Sequence, residues 1–116
     1  MARSARKAVV CQPRRCVPCE GGIQPMRDHE VRSALAKVAD WTVEDGKLTR
    51  VFEFPDFHQT MAFVNAVAWL ANLENHHPDM EVSYRRCKVC YHTHSLGGLS
   101  QNDFICAGKI NAMLNL

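Results

Sequence analysis

The 116-residue sequence predicts an α+β fold with the element order α-β-β-α-β-β-α. Three observations carry that reading. Asp45-Gly46, between two β-rich stretches, is a strong two-residue hairpin signal. A long apolar helical pattern runs through residues 56–75, and side chains alternate with period two over residues 87–94. Two hairpins joined by a helix give a four-stranded antiparallel sheet with helices packed on one face. The other face is left to polar residues or to a binding partner.

Residues 1–25 read as a basic, cysteine-containing N-terminal arm, and residues 26–116 as the folded domain. Glycine and proline are too dense around Cys16-Val17-Pro18-Cys19-Glu20-Gly21-Gly22 and Pro25 for a helix or a central strand. From Asp28 to about Val38, Val31, Leu35 and Val38 recur at helical spacing, with Asp28 as a candidate N-cap. Trp41-Thr42-Val43 and residues 48–54 flank the turn Glu44-Asp45-Gly46-Lys47, and Pro55 closes the second strand. The next helix, residues 56–75, carries one row of Phe57, Met61, Val64, Ala68 and Ala71 beside Phe63, Val67 and Leu70. That face is wider than one small sheet requires, which predicts a homodimer or homotetramer packed through this helix. Residues 81–84 and 87–93 read as the second hairpin around Arg85-Arg86, with Cys87, Val89, Tyr91 and Thr93 on one face and Lys88, Cys90, His92 and His94 on the other. After Gly97-Gly98, Ser100 and Asp103 stand in a capping-box arrangement, with Leu99 and Phe104 as its hydrophobic staple.

The net charge of +2 hides an asymmetry. Five of the 14 basic residues fall in the first fifteen positions and all 12 acids follow them, so the remainder carries about −3. The domain is therefore a poor binder of phosphate backbones, no nucleic-acid contact is expected, and the basic tail reads as a solvated arm. Mitochondrial targeting is a minor alternative for that tail. No apolar run approaches a membrane span and no secretory pattern is visible, which leaves the cytoplasm. Six cysteines in that setting indicate reduced thiols or metal ligands rather than a disulfide framework. Cys11, Cys16 and Cys19 with the second C-x-x-C, Cys87 and Cys90, could suggest zinc. Positions three apart on a strand point to opposite faces, however, and cannot chelate together. The expectation is free thiols and no metal.

The functional signal is Glu74-Asn75-His76-His77-Pro78-Asp79 at the end of the long helix. Two neighbouring imidazoles need partners for four ring nitrogens, and Pro78 disfavours helix at His77. The pair should sit where the chain turns. His94, ending an extended run, can reach it there and place three imidazoles around one hollow. Two chemistries are open: a three-imidazole zinc site with an open fourth position, or metal-free acid–base catalysis by groups that titrate near neutrality. A purely structural His-His at a helix end is the third reading.

The run Asn75-His76-His77-Pro78, then Tyr84, Thr93-His94, and Gly98-Leu99-Ser100 with Asp103 and Ala107 resembles the signature of the pterin-4a-carbinolamine dehydratases. The likeness covers about residues 74–110 without a gap, and the element order extends it to about residue 25. The arm's C-x-P-C-E-G-G also resembles the start of some bacterial members. His92 and Cys90 stand where members often carry Thr or another β-former, and Arg27 stands where a capping Ser is usual.

The resemblance implies a hydro-lyase that dehydrates a 4a-hydroxytetrahydropterin to the quinonoid dihydropterin without a metal or other cofactor. Such enzymes serve tetrahydrobiopterin recycling for aromatic amino-acid hydroxylases. It implies His76, His77 and His94 as catalytic residues lining the pterin site. Pro78, Thr93 and Ser95 would complete the substrate-binding set, Thr93 and Ser95 through backbone hydrogen bonds. Asp103 matches a family aspartate, although its capping position gives it a structural reason to be there. Relatives of this fold also act as dimerisation cofactors of a homeodomain transcription factor or as Rubisco assembly chaperones, and a molybdopterin-linked role has been suggested for others. The three histidines favour the enzyme.

Overall fold

A computed structural model describes residues 14–18 and 24–115. Its elements follow the expected order: α1 (Asp28–Leu35), β1 (Thr42–Glu44), β2 (Lys47–Glu53), α2 (Phe57–Glu74), β3 (Asp79–Val82), β4 (Arg86–Tyr91) and α3 (Gln101–Leu114), with a short 3-10 turn at His94–Leu96. The sheet order is β1-β2-β4-β3 with every pair antiparallel. The first hairpin turns through Asp45 and Gly46, with φ of 51° and 77°, the left-handed pair that a two-residue turn of this hand needs.

Pairing of Leu48 with Tyr91 and Phe52 with Cys87 sets the buried face of the two central strands. Leu48, Phe52, Cys87, Val89 and Tyr91 form the floor of the core. Phe63, Val67 and Leu70 from α2 and Phe104, Cys106, Ala107 and Ile110 from α3 close over it. The row Phe63, Val67 and Leu70 is thus the core face of α2, whereas Phe57 from the other row is 46 % exposed. Arg50 breaks the apolar pattern of β2 at the edge of this face. Its guanidinium donates to Asn111 Oδ1 at 2.6 Å and lies 4.4 Å from the centre of the Phe52 ring. Asn111 Oδ1 also accepts from the buried Trp41 Nε1 at 2.9 Å.

Several boundaries differ from the sequence reading. The first helix ends at Leu35, and Val38 joins the core from a turn. Its N-cap is Arg27 rather than Asp28, because Glu30 Oε1 accepts from the Arg27 backbone N–H at 2.8 Å. β3 begins at Asp79, directly after Pro78, and Tyr84 and Arg85 lie in the turn that follows. β4 stops at Tyr91, so His94 belongs to the 3-10 turn instead of a strand. Cys87 is buried in the core and Cys90 is on the other face of β4, near Thr49. This is the geometry that makes the pair unfit to chelate. Cys11 and Cys19 lie outside the described residues. Among the described residues, no group of His, Cys, Asp or Glu side chains is placed to hold a metal, and no helix is long and apolar enough to cross a membrane.

Candidate active site

α2 ends in a left-handed residue, Asn75, with φ of 52°. The Asn75 N–H donates to the Asn72 carbonyl at 3.3 Å and the His76 N–H reaches back to the Ala71 carbonyl at 3.1 Å. This is the paired bonding of a Schellman motif, which satisfies the last helical carbonyls and folds the chain back across the helix end. His76 is thereby turned inward, with its side chain 13 % exposed, while His77 faces solvent.

His76 is held on two sides. Its ring stacks on buried Tyr91, centroids 5.4 Å apart at 13°. Its Nε2 lies 2.6 Å from Asp103 Oδ1. Asp103 is fully buried, and its other oxygen accepts from the Ser100 N–H at 2.9 Å and the Thr93 hydroxyl at 3.0 Å. The Ser100 side chain bonds the Thr93 hydroxyl at 2.7 Å. One carboxylate therefore caps α3, ties the segment after β4 to it and orients a histidine. Burial alone would push the His76 pKa down; hydrogen bonding and charge from Asp103 outweigh it and hold it above the ordinary value near 6.5. With Nε2 committed to a carboxylate, any further hydrogen bond of this ring must be made through Nδ1.

Past β4, Thr93 pairs with Gly98 in an isolated bridge, and the 3-10 turn between them carries His94 and Ser95. Both backbone groups of Thr93 are used internally, its N–H by Gly98 and its carbonyl by Leu96. Its contribution to the site is the hydroxyl on Asp103 rather than an amide for a ligand. His94 is exposed, and its ring centre lies 3.9 Å from that of His92.

A hollow of about 790 Å³ gathers these residues. His76, His77, Pro78, Thr93, His94 and Ser95 all line it, together with His92, Asn75 and Asp79. The opposite end of the chain lines it too, through Arg15, Cys16, Val17 and Pro18. Here the structure departs from a solvated arm: this segment is docked. Cys16 N–H donates to Glu74 Oε1 at 2.9 Å, and Val17 exchanges two backbone bonds with the Asn102 side chain at 3.0 and 2.6 Å. Cys16 Sγ lies 3.6 Å from Cys106 Sγ. The hydrogen bond between the thiols raises Cys16 and lowers Cys106, leaving Cys106 the more acidic of the two.

The family profile described as Pterin 4 alpha carbinolamine dehydratase matches residues 24–113. The chain belongs to that family. A protein of Nitrosomonas eutropha provisionally named pterin-4-alpha-carbinolamine dehydratase is 51 % identical over 102 residues, covering 87 % of this chain and 90 % of its own. One from Legionella pneumophila, with the same name, is 48 % identical over 102 residues. The alignment with the Nitrosomonas protein exceeds the family match by more than the three residues that follow it, so the similarity extends into the arm. The crystal structure of a transcriptional coactivator/pterin dehydratase from Brucella melitensis superposes with a TM-score of 0.74 at 33 % identity, covering 78 % of this chain and 98 % of that one. A pterin dehydratase-like protein identified as a RuBisCO assembly factor shares the fold, with a TM-score of 0.52 at 22 % identity.

The sequence reading brought His76, His77 and His94 around one hollow, as the structure does, but it set the family match of Asp103 below a capping role and left the arm out of the site. The aspartate's second role depends on a contact 27 residues away, for which the only signal was the family pattern itself. Nothing in the periodicity of residues 14–18 announces their docking.

Proposed function

We propose that the protein dehydrates a 4a-hydroxytetrahydropterin to the quinonoid dihydropterin by histidine acid–base catalysis, in the pathway of tetrahydrobiopterin recycling. The observation that carries the reading is His76, bonded to a buried Asp103 at the wall of a hollow that His77 and His94 also line, in a chain of this family. Dehydration needs a proton delivered to the C4a hydroxyl as it leaves as water and a proton removed from the adjacent N5, after which C4a and N5 share a double bond. His76 suits the acid, because Asp103 favours its protonated form. His94, exposed on the 3-10 turn, is assigned the base, and His77 the positioning of the ring. Pro78 and the Ser95 backbone complete the pterin contacts.

The described cysteines are free thiols, as a reducing compartment such as the cytoplasm keeps them. The active species is assigned as a homodimer or homotetramer packed through α2.

The test compares the parent with His94→Ala, His76→Gln and the double variant in a dehydration assay. Gln at position 76 can still donate to Asp103, so the buried carboxylate keeps a partner. General acid–base participation is typically worth about 10²–10⁴-fold, and each single change should lower kcat/KM on that order, less where a neighbouring ring substitutes. A double variant with native circular dichroism and the parental rate would reject the enzymatic reading in favour of a binding role.

A further inference from the structure

We infer that residues 15–18 form a wall of the pterin pocket and that Glu74 positions this wall, so that the substrate site is complete only while the segment is docked. This rests on the pterin reading above.

The segment's contacts are long-range and specific. Arg15 donates to the Leu73 carbonyl at 3.0 Å and Cys16 to Glu74, 58 residues away in both cases, while Val17 is clamped to Asn102 through both its backbone N–H and its carbonyl. The Val17 side chain is 58 % exposed and lines the hollow. An apolar side chain held out at the edge of a cavity by a fixed backbone is placed to meet a ligand. The hollow, at about 790 Å³, lies within the roughly 300–1,000 Å³ of small-molecule sites. Among the described residues, 15–18 supply four of the sixteen that line it.

Glu74 is the hub of the docking. Its side chain is 4 % exposed and meets Arg15 Nε at 3.0 Å, Lys109 Nζ at 2.7 Å and the Cys16 N–H. Burial acts against its charge, but Lys109, the Cys16 amide and Arg15 together lower its pKa to about 2, so it is ionised at every working pH. It directly precedes Asn75 and His76 on the chain, which fixes the arm and the proposed acid to the same end of α2.

The thiol pair supplies a readout that requires no pterin. Diamide couples two adjacent thiols into one disulfide, the two thiol protons and two electrons ending on its nitrogens as the hydrazine. In a Cys11→Ser/Cys19→Ser background, Cys16 can find Cys106 only while the arm is docked. Coupling rate therefore reports the docked fraction. Affinity for 7,8-dihydrobiopterin, a stable reduced pterin, should report the same fraction, because a competent state populated one-tenth of the time lowers apparent affinity about tenfold.

The expected result is that Glu74→Gln lowers the coupling rate and the dihydrobiopterin affinity by the same factor, with KM rising more than kcat falls. Locking the Glu74→Gln arm by the disulfide should restore parental affinity. Arg15→Gln, at a side chain 65 % exposed and no threat to the fold, should move both readouts in the same direction. A variant that couples slowly yet binds pterin as the parent does overturns the wall, as does a locked Glu74→Gln protein that still binds weakly. A parent that fails to couple residues 16 and 106 overturns the docking. A parent that couples them but binds no pterin overturns the pterin reading and, with it, the substrate assigned to the wall.

Discussion

At the scale of single residues, the site is governed by Asp103. A fully buried carboxylate needs its charge answered, and here two hydrogen bonds reach one oxygen and the His76 ring reaches the other. The consequence for His76 has a definite sign. Burial is the largest influence and acts downward; Asp103 reverses it and leaves the pKa above the ordinary value near 6.5. With His76 as the proposed acid, activity should fall as pH rises through that raised value. Asp103→Asn removes the charge and leaves burial dominant, so the alkaline limb of kcat/KM should move to lower pH. Stability is linked to the same proton. A histidine raised in the folded state contributes fully below its unfolded value and loses that contribution as pH rises through the folded one. The difference in unfolding free energy between parent and Asp103→Asn should therefore be larger near about pH 6 than near about pH 9. Urea melts at both values check it, and an unchanged alkaline limb would remove His76 from the acid role.

At the scale of elements, the end of α2 shows what local sequence conveys. Pro78 indicates where helix is impossible, but α2 stops earlier, at Glu74, because Asn75 takes the left-handed conformation. Asn tolerates that conformation and a β-branched residue does not, at a cost of roughly 1–2 kcal/mol. Asn75→Val should lower the urea midpoint accordingly and misdirect His76, whereas Asn75→Gly should leave stability within a few tenths of a kcal/mol of the parent. Equal midpoints for the two variants would contradict this. The hairpins, the capping box of α3 and the histidine turn were legible because each depends on residues within a few positions of one another. Asp103 meeting His76 and Glu74 gathering the arm were not, because partners 27 and 58 residues apart leave no periodic trace. Arg50 in β2 likewise makes that face look mixed until Asn111 of α3 is seen to receive it.

At the scale of the whole molecule, the outer side of α2 remains to be accounted for. Of its 18 residues only Glu74 carries a formal charge at neutral pH with histidine uncharged, and that residue is buried against Lys109 and Arg15. Trp69 is 68 % exposed and Leu73 53 %, while Phe57 at the other end stacks on the exposed Tyr84 ring at 6.2 Å. Solvated helices normally carry charge on the face away from the core, and an uncharged row with a bare Trp is the pattern of a protein interface. A second copy is the simplest partner, because two identical uncharged faces meet about a two-fold axis without like-charge repulsion. The protein is expected to be dimeric or larger at micromolar concentration. An interfacial Trp is commonly worth about 2 kcal/mol or more, so Trp69→Lys should raise the dissociation constant about thirtyfold, further if the ammonium is left unpaired. Light scattering across a dilution series would show the variant dissociating well above the concentration at which the parent does. A parent that stays monomeric through the micromolar range would leave this face without a self-partner and defeat the prediction.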